Sequence, residues 1–138
     1  MIIIKFLIVS EDQSTSSILS KIIEDHNLGE IIEYSCSKFI SDSYLLNIKA
    51  IDILIIRLPI AIANKLIPKF NGKIIVVSDI SDKTIIAQTY LSGVQYYITT
   101  PINEIEIIEV IKKVVKLIKL QKCMHNIKNI LNMAETKT

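Results

Sequence analysis

Two polar groups that could do chemistry stand directly after apolar runs of the chain. Ser10-Glu11-Asp12 follows the first run, and Arg57 follows a later one. Arginine has no nucleophilic oxygen and stays cationic, so Arg57 cannot act as a nucleophile. It can instead bridge Glu11 and Asp12 through charge-assisted bonds and hold neighbouring strand ends in one arrangement. The alternative is an arginine that points to solvent from a loop.

Two further polar groups, Ser78-Asp79 and Thr99-Thr100-Pro101, follow later apolar runs. Ser78 and Thr100 are most simply explained as hydrogen-bonding residues at strand ends. The serine-rich turn Ser10–Ser17 contains no glycine. Its hydroxyls and a following helix N-terminus could still bind an anion. A small-ligand or anion-binding module is therefore an alternative function for the chain.

Apolar runs of strand length alternate five times with segments of helical periodicity. The predicted strands are Ile3–Val9, Glu30–Tyr34, Ile51–Ile56, Lys73–Val77 and Gln95–Ile98. The first predicted helix has Ser14 as its N-cap, the second lies in the segment of mixed helical spacing from Phe39 to Ile48, and the third ends near Phe70. The fourth spans Ser81–Ser92 before Gly93, and the fifth runs from Asn103 to about Met133. This alternation predicts a doubly wound α/β fold with a parallel sheet, which binds ligands at the carboxyl ends of its strands.

The length of 138 residues predicts one domain, and a hydrophobic content of 50% is enough to bury a core. Cys36 and Cys123 have no metal-ligand spacing, and two isolated cysteines fit a reducing cytoplasm. No segment approaches a membrane span or a signal peptide. We therefore expect a cytoplasmic protein with no metal, no cofactor and no membrane contact.

The order of these features resembles the response-regulator receiver (CheY-like) family over residues 3 to about 120. The most specific match is Gly93-Val94-Gln95-Tyr96-Tyr97-Ile98-Thr99-Thr100-Pro101-Ile102. A finer resemblance, carried by Ile22 to Glu30 and by Ser81-Asp82-Lys83, is to the receivers of glutamine-responsive bacterial transcription regulators. The resemblance implies a five-stranded flavodoxin-like sheet of order 2-1-3-4-5 with an extended C-terminal helix. It also implies a place in two-component signal transduction, the phosphorelay that controls bacterial transcription.

The resemblance also implies a phosphorylation pocket, and this chain lacks most of its groups. The family uses two acids and an acceptor aspartate to hold Mg²⁺, and a hydroxyl and a lysine to bind phosphoryl oxygens. The positions of this degenerate pocket are Ser10, Glu11, Asp12, Arg57, Ser78 and Thr100. Arg57 replaces the acceptor when five residues are counted from Asp52, whereas Ile55 replaces it when four are counted back from Pro59. Neither residue is reactive, so we expect no catalytic residue and no enzyme. Tyr97 takes the position of the family's switch aromatic, where we expect a half-buried tyrosine packed on the sheet.

The last helix has more apolar surface than one sheet contact requires. Eight apolar residues between Ile107 and Ile118 cover about half of its circumference, against the stripe of about 100° that a covering helix needs. The surplus indicates a second partner. Beyond it, a seam with the 3-4 spacing of a coiled coil consists of Leu117, Leu120, Met124, Ile127, Leu131 and Ala134. The alternative is a frayed helix end. Residues 112–138 also hold seven of the chain's lysines and one acid, which more often form a solvated face than a nucleic-acid contact.

We divide the chain into a receiver-like domain, residues 1–120, and a helical extension, residues 121–138, as a coiled coil or linker. The leading hypothesis is a pseudo-receiver that acts in transcription regulation by protein–protein contact. Its partner would be a second copy bound through the last helix, an effector domain or another regulator. The chain stops before any recognisable DNA-binding domain, so we expect no nucleic-acid contact by this domain. The alternative is a flavodoxin-like module that binds a small ligand or anion.

Overall fold

The computed structural model of this protein describes residues 2–34 and 51–136, and a five-stranded sheet lies at its centre. The strands are β1 (Lys5–Ser10), β2 (Glu30–Tyr34), β3 (Ile53–Arg57), β4 (Lys73–Ser78) and β5 (Tyr96–Thr99). All neighbours pair in parallel, in the order β2-β1-β3-β4-β5. The predicted fold class and strand order are confirmed.

Four α-helices connect or follow these strands within the described residues. They are α1 (Gln13–Asp25), α2 (Ile60–Leu66, continued by a 3₁₀ turn at Ile67–Lys69), α3 (Lys83–Leu91) and α4 (Glu104–Thr136). At 1.5 Å per residue the 33 residues of α4 extend about 50 Å. The helix continues well past the sheet, and it continues without a break across residue 120. The segment from Phe39 to Ile48, for which we predict helical spacing, lies outside the described residues, as does Cys36.

The sheet is buried on both faces because its central strands are apolar at every position apart from polar residues at their ends. One core cluster joins Phe6, Ile8 and Ile55 to α1 and α4, and the other joins Leu7 and Leu54 to α2 and to Tyr97 of β5. Alternate residues of one strand therefore belong to opposite cores, as the period of two in a strand requires. The carboxyl ends of β1, β3, β4 and β5 meet at one edge of this sheet.

Several element bounds differ from those predicted by one or two residues. β1 and β3 begin later than the apolar runs because pairing starts where Asp52 N–H donates to the Lys5 carbonyl, at 2.9 Å. β3 also continues through Arg57, whose backbone pairs with Ser10. The predicted N-cap Ser14 is wrong: the Asp12 carboxylate accepts from the Ser14 N–H at 3.1 Å, so Asp12 is the cap.

The third helix is also shorter than predicted. It starts at Lys83, because Asp82 caps it by accepting from the N–H groups of Thr84 and Ile85. Its end agrees with the prediction, since Gly93 follows with φ of +110°, a conformation that favours glycine. No helix among the residues that the structure describes is long and apolar enough to cross a bilayer.

Candidate functional site

The polar strand ends that we singled out lie at the carboxyl edge of the sheet. Ser10 and Arg57 are paired neighbours on β1 and β3, and Ser78 ends the adjacent strand β4. Ile55, the alternative acceptor position, is fully buried in the middle of β3. Arg57, at the end of the strand and with a partly exposed side chain, is therefore the β3 residue available to this edge.

Asp12 organises the turn between β1 and α1. Its carboxylate accepts hydrogen bonds from the Ser14 N–H at 3.1 Å and from the hydroxyls of Ser14 and Thr15 at 2.9 Å. The Ser10 hydroxyl accepts from the Asp12 N–H at 3.0 Å and donates to the Asp12 carbonyl at 2.8 Å. The hydroxyls of this turn are thus bonded within it. They leave a carboxylate, rather than free donors, at the N-terminus of α1.

This carboxylate weighs against the alternative of an anion site in the turn. A helix N-terminus attracts anions through its unpaired N–H groups and its dipole. Here Asp12 already accepts from the first turn of α1, and an added phosphate would meet its negative charge. The geometry therefore favours the closed turn over a phosphate-binding loop.

Arg57 bonds across the strand edge to the first turn of α1. Its Nη1 donates to the Thr15 hydroxyl oxygen at 2.9 Å and lies 3.7 Å from Asp12 Oδ2. The Thr15 hydroxyl in turn donates to the same Asp12 oxygen at 2.9 Å. Arginine, threonine and aspartate form a three-membered network in which every distance between bonded polar atoms is short and the direct ion pair is long.

The bridge that we predicted from Arg57 to both acids has a different composition. The ion pair with Asp12 is present. Glu11 takes part through its backbone, whose N–H donates to the Arg57 carbonyl at 3.1 Å. The Glu11 side chain is exposed. Thr15, which the sequence argument missed, is the direct partner of the guanidinium and is only 2% exposed. Its signal was a hydroxyl three residues after the helix cap, where it meets the capping carboxylate.

The same hydrogen bonds perturb the acid at the centre of the network. The hydroxyl of Ser14, followed by that of Thr15 and by the Ser14 N–H, lowers the pKa of Asp12 below its ordinary value of 3.8. The Arg57 charge lowers this pKa further and makes the smallest contribution. Asp12 is therefore ionised at neutral pH and serves as an acceptor.

Ser78 and Thr100 are joined through the backbone. The Thr100 N–H donates to the Ser78 carbonyl at 2.9 Å, and the buried Ser78 hydroxyl accepts from the Ile80 N–H at 3.1 Å. Both residues thus act as hydrogen-bonding strand ends, as we predicted. A small cleft of about 70 Å³ is lined by Glu11, Arg57, Leu58, Pro59, Ile60, Val77, Ser78, Asp79 and Ile80. Among residues 2–34 and 51–136, no group of three or more histidine, cysteine, aspartate or glutamate side chains is placed to hold a metal ion.

Tyr97 is held at both ends by hydrogen bonds. Its side chain is 9% exposed, its hydroxyl donates to the Ile80 carbonyl at 2.8 Å, and its N–H donates to the Tyr90 hydroxyl at 2.9 Å. It is more buried than the half-buried tyrosine that we predicted. The two tyrosines tie α3 to β5 and to the segment after β4.

The apolar stripe of α4 needs no second partner along residues 107–118. Six of its eight apolar residues are buried against the sheet, and Ile108 and Leu117 are partly buried. The predicted surplus on this stripe is wrong, because the sheet and α1 cover a wider arc of the helix than a flat contact would. The exposed apolar surface lies further along: Leu120, Met124, Ile127, Ile130, Leu131 and Met133 are 55–65% exposed.

Comparison with proteins of known sequence gives one informative relative, and no family model matches. The chain is 34% identical over 109 residues to the transcriptional regulatory protein GlnL of Bacillus subtilis. The match covers 75% of this chain and 35% of that protein, so the chain spans about a third of the length of its curated relative.

Comparison with solved structures finds receiver domains. A CheY-like receiver domain protein from Methanospirillum hungatei has a TM-score of 0.72 at 17% identity, with 87% of this chain and 99% of that one covered. The receiver domain of a Luxo repressor protein from Vibrio parahaemolyticus has a TM-score of 0.76 at 12% identity, with 89% and 98% covered. A DNA-binding response regulator of the LuxR family from Staphylococcus aureus has a TM-score of 0.67 at 16% identity, with 82% and 99% covered. Identities this low show a shared fold alone.

Proposed function

We propose that this chain, which has the fold of CheY-like response-regulator receiver domains, is a signalling module that works by protein–protein contact without aspartyl phosphorylation. The observation that carries the proposal is the position of Arg57. At the end of β3, the edge of the sheet presents a guanidinium bonded to Thr15 and paired with Asp12. A cation at this point repels Mg²⁺ and offers no nucleophilic oxygen.

The second support is the use of the remaining polar groups. Ser10, Asp12 and Ser78 bond to neighbouring backbone or side chains. Thr100, at the position of the family's lysine, contributes a backbone N–H to the Ser78 carbonyl. The site is therefore a structural network, and we propose that it keeps the carboxyl edge in one conformation without a chemical signal.

Intact-mass spectrometry after treatment with acetyl phosphate and Mg²⁺ tests the chemical half of this proposal. We expect the unaltered protein to keep its mass, because no carboxylate ends β3. A receiver domain with an acceptor aspartate, treated in parallel, controls for active reagent. A stoichiometric phosphoryl adduct on any aspartate or glutamate of this chain would refute the proposal.

The relation to a transcriptional regulatory protein supports a role for the parent protein in two-component control of transcription. The match takes in 109 residues, which are 75% of this chain and 35% of that relative. We propose that any DNA contact belongs to another domain or to a partner regulator, and that this domain is not an enzyme. Two isolated cysteines, Cys36 and Cys123, fit work in the reducing cytoplasm.

We further propose that the domain forms a homodimer through the extension of α4, residues 121–138, and the helical turn that precedes residue 121. Four of the six seam residues, Leu120, Met124, Ile127 and Leu131, are 55–61% exposed in the single chain. Contiguous exposed apolar side chains of this kind usually mark an interaction site, and burial of them in a partner is favourable. A single unpaired helix of this composition would leave them in water.

Substitution of the seam tests the dimer. Leu120→Glu with Ile127→Glu is expected to give a folded monomer, because two carboxylates per chain would have to be buried in the dimer. Asn129→Glu with Asn132→Glu adds the same charge to exposed positions on another face of the helix and should leave the association unchanged. If light scattering finds the unaltered protein monomeric at high micromolar concentration, the proposed dimer is refuted.

A further inference from the structure

The apolar face of the α4 extension points away from the domain that precedes it. At 100° per residue, the six buried residues from Ile107 to Ile118 centre on one direction, and the four exposed seam residues centre about 140° from it. The polar side of the extension faces the domain instead. There Gln121, Lys122 and His125 line a groove of about 600 Å³ beneath the sheet, and Lys122 Nζ lies 2.9 Å from Asp52 Oδ1.

Two lysines lie on this outward face just before the seam. Lys113 and Lys116 are exposed and fall within the same sector of the helix as Leu120 and Ile127. Any partner helix on the seam must therefore pass close to them or end before them. The orientation of the partner determines which lysines of the two copies meet.

We propose that the dimer inferred above is antiparallel, with Leu120 of each copy against Leu131 of the other. The inference rests on the proposed homodimer and adds its orientation and register. In this register Met124 packs against Ile127 of the second copy, so every layer is apolar. The same register places Cys123 beside Ile130 of the second copy, because reversal of one helix brings like flanks of the seam together.

A parallel pair of helices would bury the seam residues, but it would not match the residues on either side of the seam, which form its two flanks. In a parallel two-stranded coiled coil each residue of one flank contacts the opposite flank five residues further along. Cys123 would then meet Lys128 of the second copy, and Ile130 would have no apolar neighbour across the seam. Ile130 is 65% exposed in the single chain, so the antiparallel register buries an apolar residue that the parallel one leaves beside polar groups.

The lysines favour the same orientation. A parallel pair sets Lys113 and Lys116 beside their own copies, at the interaxial distance of about 8–10 Å, which is near the screening length in physiological salt. The antiparallel register moves the two copies of Lys113 about 37 Å apart along the axis, and those of Lys116 about 28 Å, at 1.5 Å per residue. Screening removes nearly all repulsion at those distances.

The two domains also fit this arrangement. Each domain lies along residues 104–121 of its own helix and on the side opposite the seam. In the antiparallel register the second domain lies beyond residue 130 of the first helix and on the outer side of its own. The two receiver folds occupy opposite ends of the helix pair and do not collide.

Disulfide trapping in the full chain distinguishes the two orientations. Leu120→Cys and Leu131→Cys are made separately in a background of Cys36→Ser with Cys123→Ser, and each is oxidised alone and as an equimolar mixture. A disulfide requires Cα atoms within about 7 Å of one another. In the antiparallel register like residues are about 16 Å apart along the axis, so neither variant links to itself. We expect a covalent dimer in the mixture alone.

Gln121→Cys and Asn132→Cys are the matched control, since they lie at nearly the same axial levels on another face and should give no dimer in any combination. Covalent dimers of each seam variant alone would overturn the antiparallel orientation and leave the homodimer in place. A dimer by light scattering that no seam variant traps would overturn the register. A monomer by light scattering would instead overturn the proposed dimer itself.

Discussion

Replacement of Arg57 by methionine tests the network at the carboxyl edge of the sheet. Methionine keeps much of the apolar stem of arginine and removes the guanidinium, whose Nη1 donates to Thr15 at 2.9 Å. A hydrogen bond to a charged group contributes about 1.5–3 kcal/mol. The Arg57 side chain is 22% exposed, which places its bond near the lower end of that range. The 3.7 Å pair with Asp12, whose side chain is 39% exposed, is weakened by solvent and adds little to stability.

A double-mutant cycle isolates the bond that matters. Arg57→Met and Thr15→Val are made singly and together, and the free energy of unfolding of each is measured by urea denaturation. We expect Arg57→Met alone to lower stability by about 2 kcal/mol, with a coupling to Thr15→Val of about 1.5 kcal/mol.

Thr89→Val is the matched control for this cycle. Thr89 is as buried as Thr15, but its hydroxyl donates to the Ile85 carbonyl of its own helix. Its combination with Arg57→Met should be additive within about 0.5 kcal/mol. If Arg57 and Thr15 prove equally additive, Arg57 points to solvent and the argument from a closed network is wrong.

Three other predictions follow from charges at the two ends of the sheet. Because the pKa of Asp12 is lowered in the folded state, Asp12 stabilises the fold at pH values above its ordinary pKa of 3.8, and this stabilisation is lost as the pH falls through the lowered pKa. Asp12→Asn should therefore make stability less dependent on pH in the acid range. Identical stability–pH profiles of the variant and the unaltered protein would contradict this. Arg57→Asp should create measurable Mg²⁺ affinity by calorimetry and lose stability until Mg²⁺ is added, whereas low-millimolar Mg²⁺ binding by the unaltered protein would show that the guanidinium does not exclude the ion. Lys122→Met should cost about 0.5 kcal/mol in urea denaturation, because its pair with Asp52 is short but the lysine side chain is 42% exposed; a loss above about 2 kcal/mol would mean that the pair is part of the core.

The positions of most strands could be predicted from the sequence because these strands are apolar runs bounded by turn residues, whereas the strand order was implied by the family resemblance. Runs such as Lys73–Val77 are too short and too continuous to be helices, and the intervening segments have helical spacing. The bounds could not be predicted to the residue, since they depend on which neighbour donates to which carbonyl. For example, the hydrogen bonds between Asp52 and Lys5 lie inside both apolar runs, so the strands begin after the first residues of those runs.

The site was predictable in its positions and not in its contacts. The residue types at strand ends place Arg57 near Asp12, because parallel strands end at one edge. Which atom the guanidinium reaches depends on how α1 leaves that edge, and this is set by Asp12 acting as its cap in place of Ser14. Thr15 then points its hydroxyl between the two charged groups. Helix capping, a local choice between the carboxylate of Asp12 and the hydroxyl of Ser14 two residues later, thus decided the composition of the network.

The last helix shows the same limit. Its periodicity predicted both a core stripe and a seam, but a count of apolar residues overestimated the surface left free between Ile107 and Ile118. How much of the helix surface the sheet and a neighbouring helix bury depends on tertiary packing, which a count of apolar residues does not give. Only the exposed fractions of Leu120 and its successors locate the free surface beyond residue 119.

We propose that this receiver fold makes its protein contact without phosphorylation. Light scattering across a concentration range, with and without acetyl phosphate and Mg²⁺, tests this independence from phosphorylation. We expect the mass of a dimer at high micromolar concentration and the same mass in both conditions, because Arg57 rather than a carboxylate ends β3 and the α4 seam is exposed in the single chain. A monomer that becomes a dimer only when acetyl phosphate and Mg²⁺ are present would contradict it.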